Sequence, residues 1–265
     1  MLKNPKLSIV MPVFNGEKTI KKAIESVINQ NYSNCELIIA DGLSTDNTVN
    51  IIKEFQIQAN ITLISEKDKG QSDATNKAFR LATGDIIGWL NADDYYTENA
   101  FSIIIKNFEN NIQLLYGNCY YGDENGNIIR KFKAPEFNLK TLLEKGYCYI
   151  PSMSCFYRKT VIEKFLPNIL NNDLHYAMDY DFFIRCALAG FKFKYIDEYL
   201  AVFTRGTDNK TVTNIEEMRM EGIHLALNNG AGKHFKFWIN YLIAKIYFLL
   251  PNYIRNLIRK IRYKI

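Results

Sequence analysis

The sequence predicts an α/β fold with a mostly parallel sheet flanked by helices, and three observations carry that prediction. Strand-like and helix-like stretches alternate through the first 96 residues with short connections, the order from which parallel βαβ units are built. The strand-like stretches read as buried apolar runs. Each of them ends in a polar, turn-rich segment, and in such sheets ligands bind beyond the carboxyl ends of the strands.

In chain order, 7–11 (LSIVM) is a strand, and 17–30 has helical apolar spacing through Ile20, Ala23, Ile24, Val27 and Ile28. A second strand at 35–40 stops at Asp41-Gly42. Residues 44–47 (STDN) offer N-caps to a helix running to Glu54. A third strand (61–64), a third helix (72–82) and a fourth strand (85–90) complete the series. Beyond it, 114–132 predicts a β-hairpin around DENGN at 123–127, Asn-Gly being a strong hairpin turn signal. A helix at 176–189 bears Asp179 and Asp181 near its start and stops at Gly190. A last strand follows at 195–203, then a helix at 215–228 and a hinge at 229–232 (NGAG).

At 265 residues, 48% apolar and 23% charged, the chain is an ordinary globular protein with no disordered composition. Its five cysteines are scattered, odd in number and never in C-x-x-C pairs, which excludes a disulfide framework and a zinc site and fits a reducing cytoplasm. The first residues pass directly into a strand, so no secretory leader is expected. The net charge of +5 is uneven: after Glu221 there is no Asp or Glu, but eight Lys and Arg follow. The remainder is mildly acidic, unlike a uniformly basic nucleic-acid binder, and no nucleic acid is expected as partner.

Neither a G-x-G-x-x-G after the first strand nor a G-x-x-x-x-G-K-[ST] occurs, which removes the main support for dehydrogenase and P-loop readings. His175, His224 and His234 have no ligand spacing. Acidic strand ends remain. Asp41 can accept a hydrogen bond from an imide N–H or a ribose hydroxyl, or simply form an Asp-Gly turn. Asp93 and Asp94 crowd two carboxylates at the end of an apolar strand, where hard oxygen ligands suit Mg2+ or Mn2+ completed by phosphate oxygens. The alternative for Asp94 is to cap a following helix.

Six segments in order resemble the family 2 glycosyltransferases with a GT-A fold, of the bacterial polysaccharide-building type. They are VMPVFNG (10–16), DGLSTD (41–46), GQSDATNK (70–77), GD (84–85), WLNADD (89–94) and MDYDFFIR (178–185). The resemblance implies a glycosyltransferase domain over 1–212, with a nucleotide-binding half over about 1–96 and an acceptor-binding half over about 97–212. It implies that Pro12, Val13 and Asn15 line a nucleotide pocket, that Asp41 contacts uracil or ribose, and that Gly70 and Asp73 border nucleotide and sugar. Asp93 matches the metal-binding end of the family's D-x-D motif and Asp179 its catalytic base. Asn91 stands where the motif begins with Asp; it brings no charge but, with Asp93 on the donor side, can accept from a ribose hydroxyl or position a metal-bound water, so that either the metal is held less tightly or Asp94 shares the work.

The resemblance further implies an inverting transfer of a hexosyl or N-acetylhexosaminyl group from a UDP-sugar to a hydroxyl of a saccharide or lipid-linked acceptor. Asp181 is expected to pair with Arg185 one turn on. Arg205 reaches either the diphosphate or acceptor, or only solvent. The segment 150–158 resembles one that borders the acceptor, although Phe156 and Tyr157 could equally be core.

The last region, 213–265, is read as helical and basic. Its run 237–250 is too short to cross a bilayer as one helix and is expected to lie on an anionic lipid surface, at the inner face of the cell membrane. A hairpin packed on the body or on a second subunit of a homodimer is the alternative. Two other functions stay open: a nucleotidyltransferase, which leaves Asp179 without a role, and a silent nucleotide- or sugar-binding subunit of a membrane assembly.

Overall fold

The computed structural model describes residues 4–206, 214–251, 253–255 and 257. Strands β1 (Leu7–Val13), β2 (Cys35–Asp41), β3 (Ile61–Ser65) and β4 (Ile86–Trp89) alternate with helices α1 (Ile20–Ile28), α2 (Thr48–Gln56) and α3 (Gln71–Leu81). All three pairings among these strands are parallel, as the alternation predicts. The second half holds β5 (Tyr95–Tyr96), α4 (Ala100–Asn107), β6 (Leu114–Gly122), β7 (Ile128–Phe132), α5 (Leu139–Lys145), β8 (Cys155–Arg158), α6 (Lys159–Phe165), α7 (Met178–Leu188) and β9 (Phe193–Thr204). Helices α8 (Ile215–Asn228) and α9 (Phe235–Leu249) come last.

Among the described residues one sheet runs in the order β3-β2-β1-β4-β8-β6-β9-β5, with β7 on β6. Strand β8 is antiparallel to both β4 and β6, and β9 is parallel to β6. Two reversals cancel, so β6 and β9 point the same way as β1 to β4. Six strands thus deliver their carboxyl ends to one edge, which collects the polar segments of both halves.

Alternation along the strands sends side chains to two apolar layers. Val10, Ile38, Trp89, Tyr116 and Tyr157 face α3, α5 and α7, whereas Ile9, Met11, Ile39 and Phe156 face α1 and α4. Phe156 and Tyr157 are both fully buried, on opposite faces, and are core residues. Tyr157 packs edge-on to Phe79 and Phe182, and Phe156 stacks with Tyr96. Ile223 and Ala226 of α8 and Phe237 and Ala244 of α9 join the same layer as α7.

Of the cap candidates at 44–47, Asp46 supplies the side chain at the start of α2, its Oδ1 accepting from Thr48 N at 3.0 Å. One local expectation needs correction. No helix follows Asp94 directly; the next element is β5, paired with β9, and α4 is preceded by Asn99. Elements β5, α4, α5, β8 and α6 have no counterpart in the elements expected from sequence. All five cysteines are free thiols.

Among the described residues no helix is long and apolar enough to cross a membrane. Helix α9 is two-sided. Phe237 and Ala244 are buried, and Asn240 Nδ2 donates to Glu144 O of α5 at 2.9 Å. Phe235, Trp238, Ile239, Leu242, Ile243, Ile246 and Leu249 lie exposed along the outer face at helical spacing. The basic residues Arg259, Lys260, Arg262 and Lys264, and residues 207–211 after Arg205, lie outside the described residues.

Candidate active site

The loops after β1 and β2 are fastened to each other. Asn15 adopts a left-handed backbone (φ 50°), and its Oδ1 accepts from Thr45 N at 2.8 Å while its own N–H donates to Ser44 Oγ at 2.8 Å. Pro12 and Val13 are buried inside β1. Asp41 is 1% exposed, accepting from Ser44 N and from Ser65 Oγ at 2.7 Å. Its carboxylate organises the β2 and β3 ends, which is the turn-forming role open to it.

A carboxylate absent from the expected site residues stands at the surface of this corner. Asp68 lies against the backbone of Gly42 so closely that a Cβ there would overlap its Oδ2, with the exposed Phe14 ring alongside. Asp68 Oδ1 also accepts from Gly70 N at 2.8 Å. Gly70, at φ 118°, occupies a conformation that favours glycine and opens α3. Asp73 in the first turn accepts from Lys69 N at 3.1 Å and faces Lys77 at 3.6 Å, so it fixes this loop.

Helix α3 then reaches the end of β4. Gln71 Nε2 donates to Asn91 Oδ1 at 2.9 Å, and Trp89 Nε1 donates to the same oxygen at 3.0 Å. An indole nitrogen only donates, so the atom facing it must be an acceptor and the Asn91 NH2 must point elsewhere. It points to Asp94 Oδ2 at 3.4 Å. The amide at 91 is therefore explained: a carboxylate could take the two donors but would oppose Asp94. Asp94, 1% exposed, accepts from Thr204 N at the end of β9 at 3.0 Å. Burial, and then the charge of Asp93, push its carboxyl well above the ordinary range. Asp93 is half-buried, and burial raises its carboxyl too.

The two carboxyls fit a divalent cation. They are adjacent hard oxygen donors in a dehydrated place, where each disfavours the ionised form of the other. Among the described residues no group of three or more His, Cys, Asp or Glu could hold a metal, so a cation here needs oxygens from elsewhere, such as a diphosphate. Arg205, one residue past Thr204, donates its N–H to Gly122 O at 2.9 Å and holds its guanidinium 5.4 Å from the Tyr121 ring centre.

Across the edge stands α7. A cleft lined by Gly70, Gln71 and Ser72 on one wall and by His175 and Met178 on the other joins the starts of α3 and α7. Ser72 Oγ is buried there without a hydrogen-bond partner. Asp179 is half-buried beside Met178; burial moves its carboxyl from 3.8 to about 6, against bonds from Tyr180 N at 2.7 Å and from the Cys148 thiol. Asp181 pairs with Arg185 at 2.8 Å as expected. The buried Asn76 of α3 ties this helix to the segment before α7, exchanging bonds of 2.8 Å with both N–H and C=O of Leu170 and donating to Asn172 Oδ1 at 3.1 Å. Sequence reasoning missed Asp68, Ser72 and Asn76 although all three lie in or beside a motif it singled out.

Residues 8–166 match glycosyl transferase family 2. The chain belongs to this family. It is 29% identical over 276 residues to an uncharacterized glycosyltransferase of Methanocaldococcus jannaschii, covering 98% of this chain and 94% of that one. It is 36% identical over 160 residues to the UDP-Glc:alpha-D-GlcNAc-diphosphoundecaprenol beta-1,3-glucosyltransferase WfgD of Escherichia coli, covering 60% of this chain and 62% of WfgD. Among solved structures, S. aureus TarS 1-349 in complex with UDP-GlcNAc superposes with a TM-score of 0.63 at 20% identity, over 84% of this chain and 67% of that one. The mannosyltransferase PcManGT of Pyrobaculum calidifontis, in complex with GDP-Man and Mn2+, gives 0.61 at 14% identity, over 98% and 84%. The fold is GT-A.

Two outcomes test this geometry. Asn91→Asp places a third carboxylate against Asp94 and is expected to lower the melting temperature in metal-free buffer, by the equivalent of roughly 1–3 kcal/mol; thermal denaturation measures it. Asp179 binds its proton more tightly folded (about 6) than unfolded (3.8), so stability falls as pH rises through that window and stays reduced above it. Asp179→Asn should therefore be more stable than wild type above pH 6, by about 1–2 kcal/mol once partial exposure is allowed for, and should match it near pH 4.

Proposed function

We propose that this glycosyltransferase is an inverting enzyme that moves a hexosyl or N-acetylhexosaminyl group from a UDP-sugar to a hydroxyl of a saccharide or lipid-linked acceptor. The observation that carries this reading is the cleft shared by α3 and α7. One wall leads through Gln71 to Asn91 and the acidic end of β4, and the other is the start of α7, where Asp179 directly follows the lining residue Met178. Phe14 and Asp68 give the far corner an aromatic face and an acceptor, suited to a planar base with an imide N–H. Ser72 Oγ offers an unused hydroxyl to a donor in the cleft.

Asp179 takes the proton from the acceptor hydroxyl as that oxygen attacks the anomeric carbon, while the bond to the nucleoside diphosphate breaks on the opposite face. A carboxyl titrating near 6 is ionised at neutral pH yet basic enough to accept the proton. No second carboxylate is assigned as nucleophile, hence inversion. Mg2+ or Mn2+, held by Asp93 with Asp94 behind it, would supply charge to the departing diphosphate. The two groups keep apart in role because Asp94 is tied inward to Thr204 and Asn91, leaving Asp93 nearer the surface.

The lipid-linked acceptor gives α9 a purpose. Its exposed face, from Phe235 to Leu249, is apolar and is followed by a run of Lys and Arg with no acid. Such a helix suits an anionic lipid surface, which would place the protein on the inner face of the cell membrane.

Asp179→Asn is expected to lose at least about a thousandfold in transfer to acceptor while UDP with Mn2+ still raises its melting temperature; retained transfer would remove Asp179 as base. In the wild type, the rate should climb with pH through about 6 as Asp179 ionises. For the helix, co-sedimentation with phosphatidylglycerol vesicles should exceed that with phosphatidylcholine vesicles and be lost in Leu242→Glu/Ile243→Glu. Equal binding to both vesicle types, or a dimer that the same changes dissolve, would assign that face to another occupant.

A further inference from the structure

Glu221 is the last acidic residue of the chain and lies in the middle of α8, away from every motif that the family resemblance rests on. Its carboxylate accepts three consecutive backbone N–H groups: His175 at 2.9 Å, Tyr176 at 2.8 Å and Ala177 at 2.6 Å. Ala177 is the residue that precedes α7 and has no side chain able to cap it. The N–H groups of the three residues that lead into the helix carrying Asp179 are thus met by a carboxylate from another helix, which also places a negative charge near that helix's positive end.

Tight packing fixes where that carboxylate sits. The neighbouring Gly222 lies so close to Gly146 O, at the end of α5, that a Cβ would stand 2.7 Å from it. Arg219 Nη1 donates to the same Gly146 O at 3.3 Å. Two residues beyond Gly146, the Cys148 thiol meets Asp179. Helix α8 therefore grips both segments that touch Asp179. His175, the first of the clamped residues, also lines the cleft.

We propose that Glu221 is a positioning residue for proton transfer: it locks residues 175–177, so that the Asp179 carboxyl, next to the lining residue Met178, is held in the orientation the acceptor meets. The inference rests on the reading of Asp179 as the base. The groups facing Asp179 are Cys148 from the segment after α5, Tyr157 from β8 and Glu221 from α8. Of these Glu221 is the other carboxyl group, and its negative charge adds, after the larger effect of burial, to the rise in the Asp179 carboxyl.

The test uses the full chain with Glu221→Gln and Glu221→Ala. Glu221→Gln keeps the size and one acceptor oxygen, and serves if the alanine variant does not fold. Removing the charge is expected to move the acidic limb of the kcat profile to lower pH. kcat is expected to fall by about tenfold or more, with the donor KM changed by less than about threefold, because orientation rather than binding is lost. Titration of the Asp179 carboxyl by 13C NMR, without substrates, should show the same downward move. An unmoved limb and an unmoved carboxyl titration in folded Glu221→Gln overturn the proposal, whatever happens to kcat, since a merely structural loss would lower activity without shifting the titration. Transfer that survives Asp179→Asn would remove the base itself. An inactive Asp179→Asn beside an unshifted Glu221→Gln overturns only the role of Glu221.

Discussion

Two carboxylates adjacent in the chain, at the end of a buried strand, repel each other and lose their water, and the carboxyl edge of this sheet is arranged around that cost. Asp94 is drawn inward by the Thr204 N–H and the Asn91 amide, 110 residues and three residues away. Asn91 is in turn held by Trp89 and by Gln71, the residue that opens α3. The same network therefore joins β4 to β9 and sets the start of α3, one wall of the cleft. Asp93 is left as the carboxylate nearer solvent. A departure from the family's usual acidic motif at position 91 is better understood as the donor-acceptor pattern of its surroundings than as a weakened site.

Much of this architecture is legible in the amino-acid sequence. Strands β1 to β4 and helices α1 and α3 announce themselves by long apolar runs and helical periodicity, so their existence and order follow from local sequence. Strand β8 does not, because four residues, three of them buried regardless of face, offer neither alternation nor length. Strand β5, at two residues, has no pattern at all. The misplaced cap at Asp94 has the same origin: a carboxylate before a helical stretch looks like a cap, and its true partner is distant in sequence. Asp41, Asn15 and Asp73 stand at the expected strand ends, but their side chains hold loops together, a role that residue type and spacing do not separate from ligand contact. Glu221 is invisible to motif reading, since an acid inside a helix carries no local signal.

The C-terminal helices belong to the same physical body as the cleft between α3 and α7. Helix α8 shares an apolar layer with α7 and α5, and α9 is tied to α5 through Asn240. The outer face of α9 is left exposed, with seven large apolar side chains along it. Forces applied to that face by any binding surface would reach α5 and α8 directly, and through them the segments against Asp179.

Strand β8 is narrow for the work it does. It meets β4 through three residue pairs and β6 through three, and so lies between the parallel strands of the first half and strands β6 and β9 of the second. Loops and short helices of the second half can change length or composition without disturbing the register of β1 to β4. The alternation of Phe156 and Tyr157 fixes the limit of that freedom, because a slip of one residue would exchange the two faces and open both cores at once.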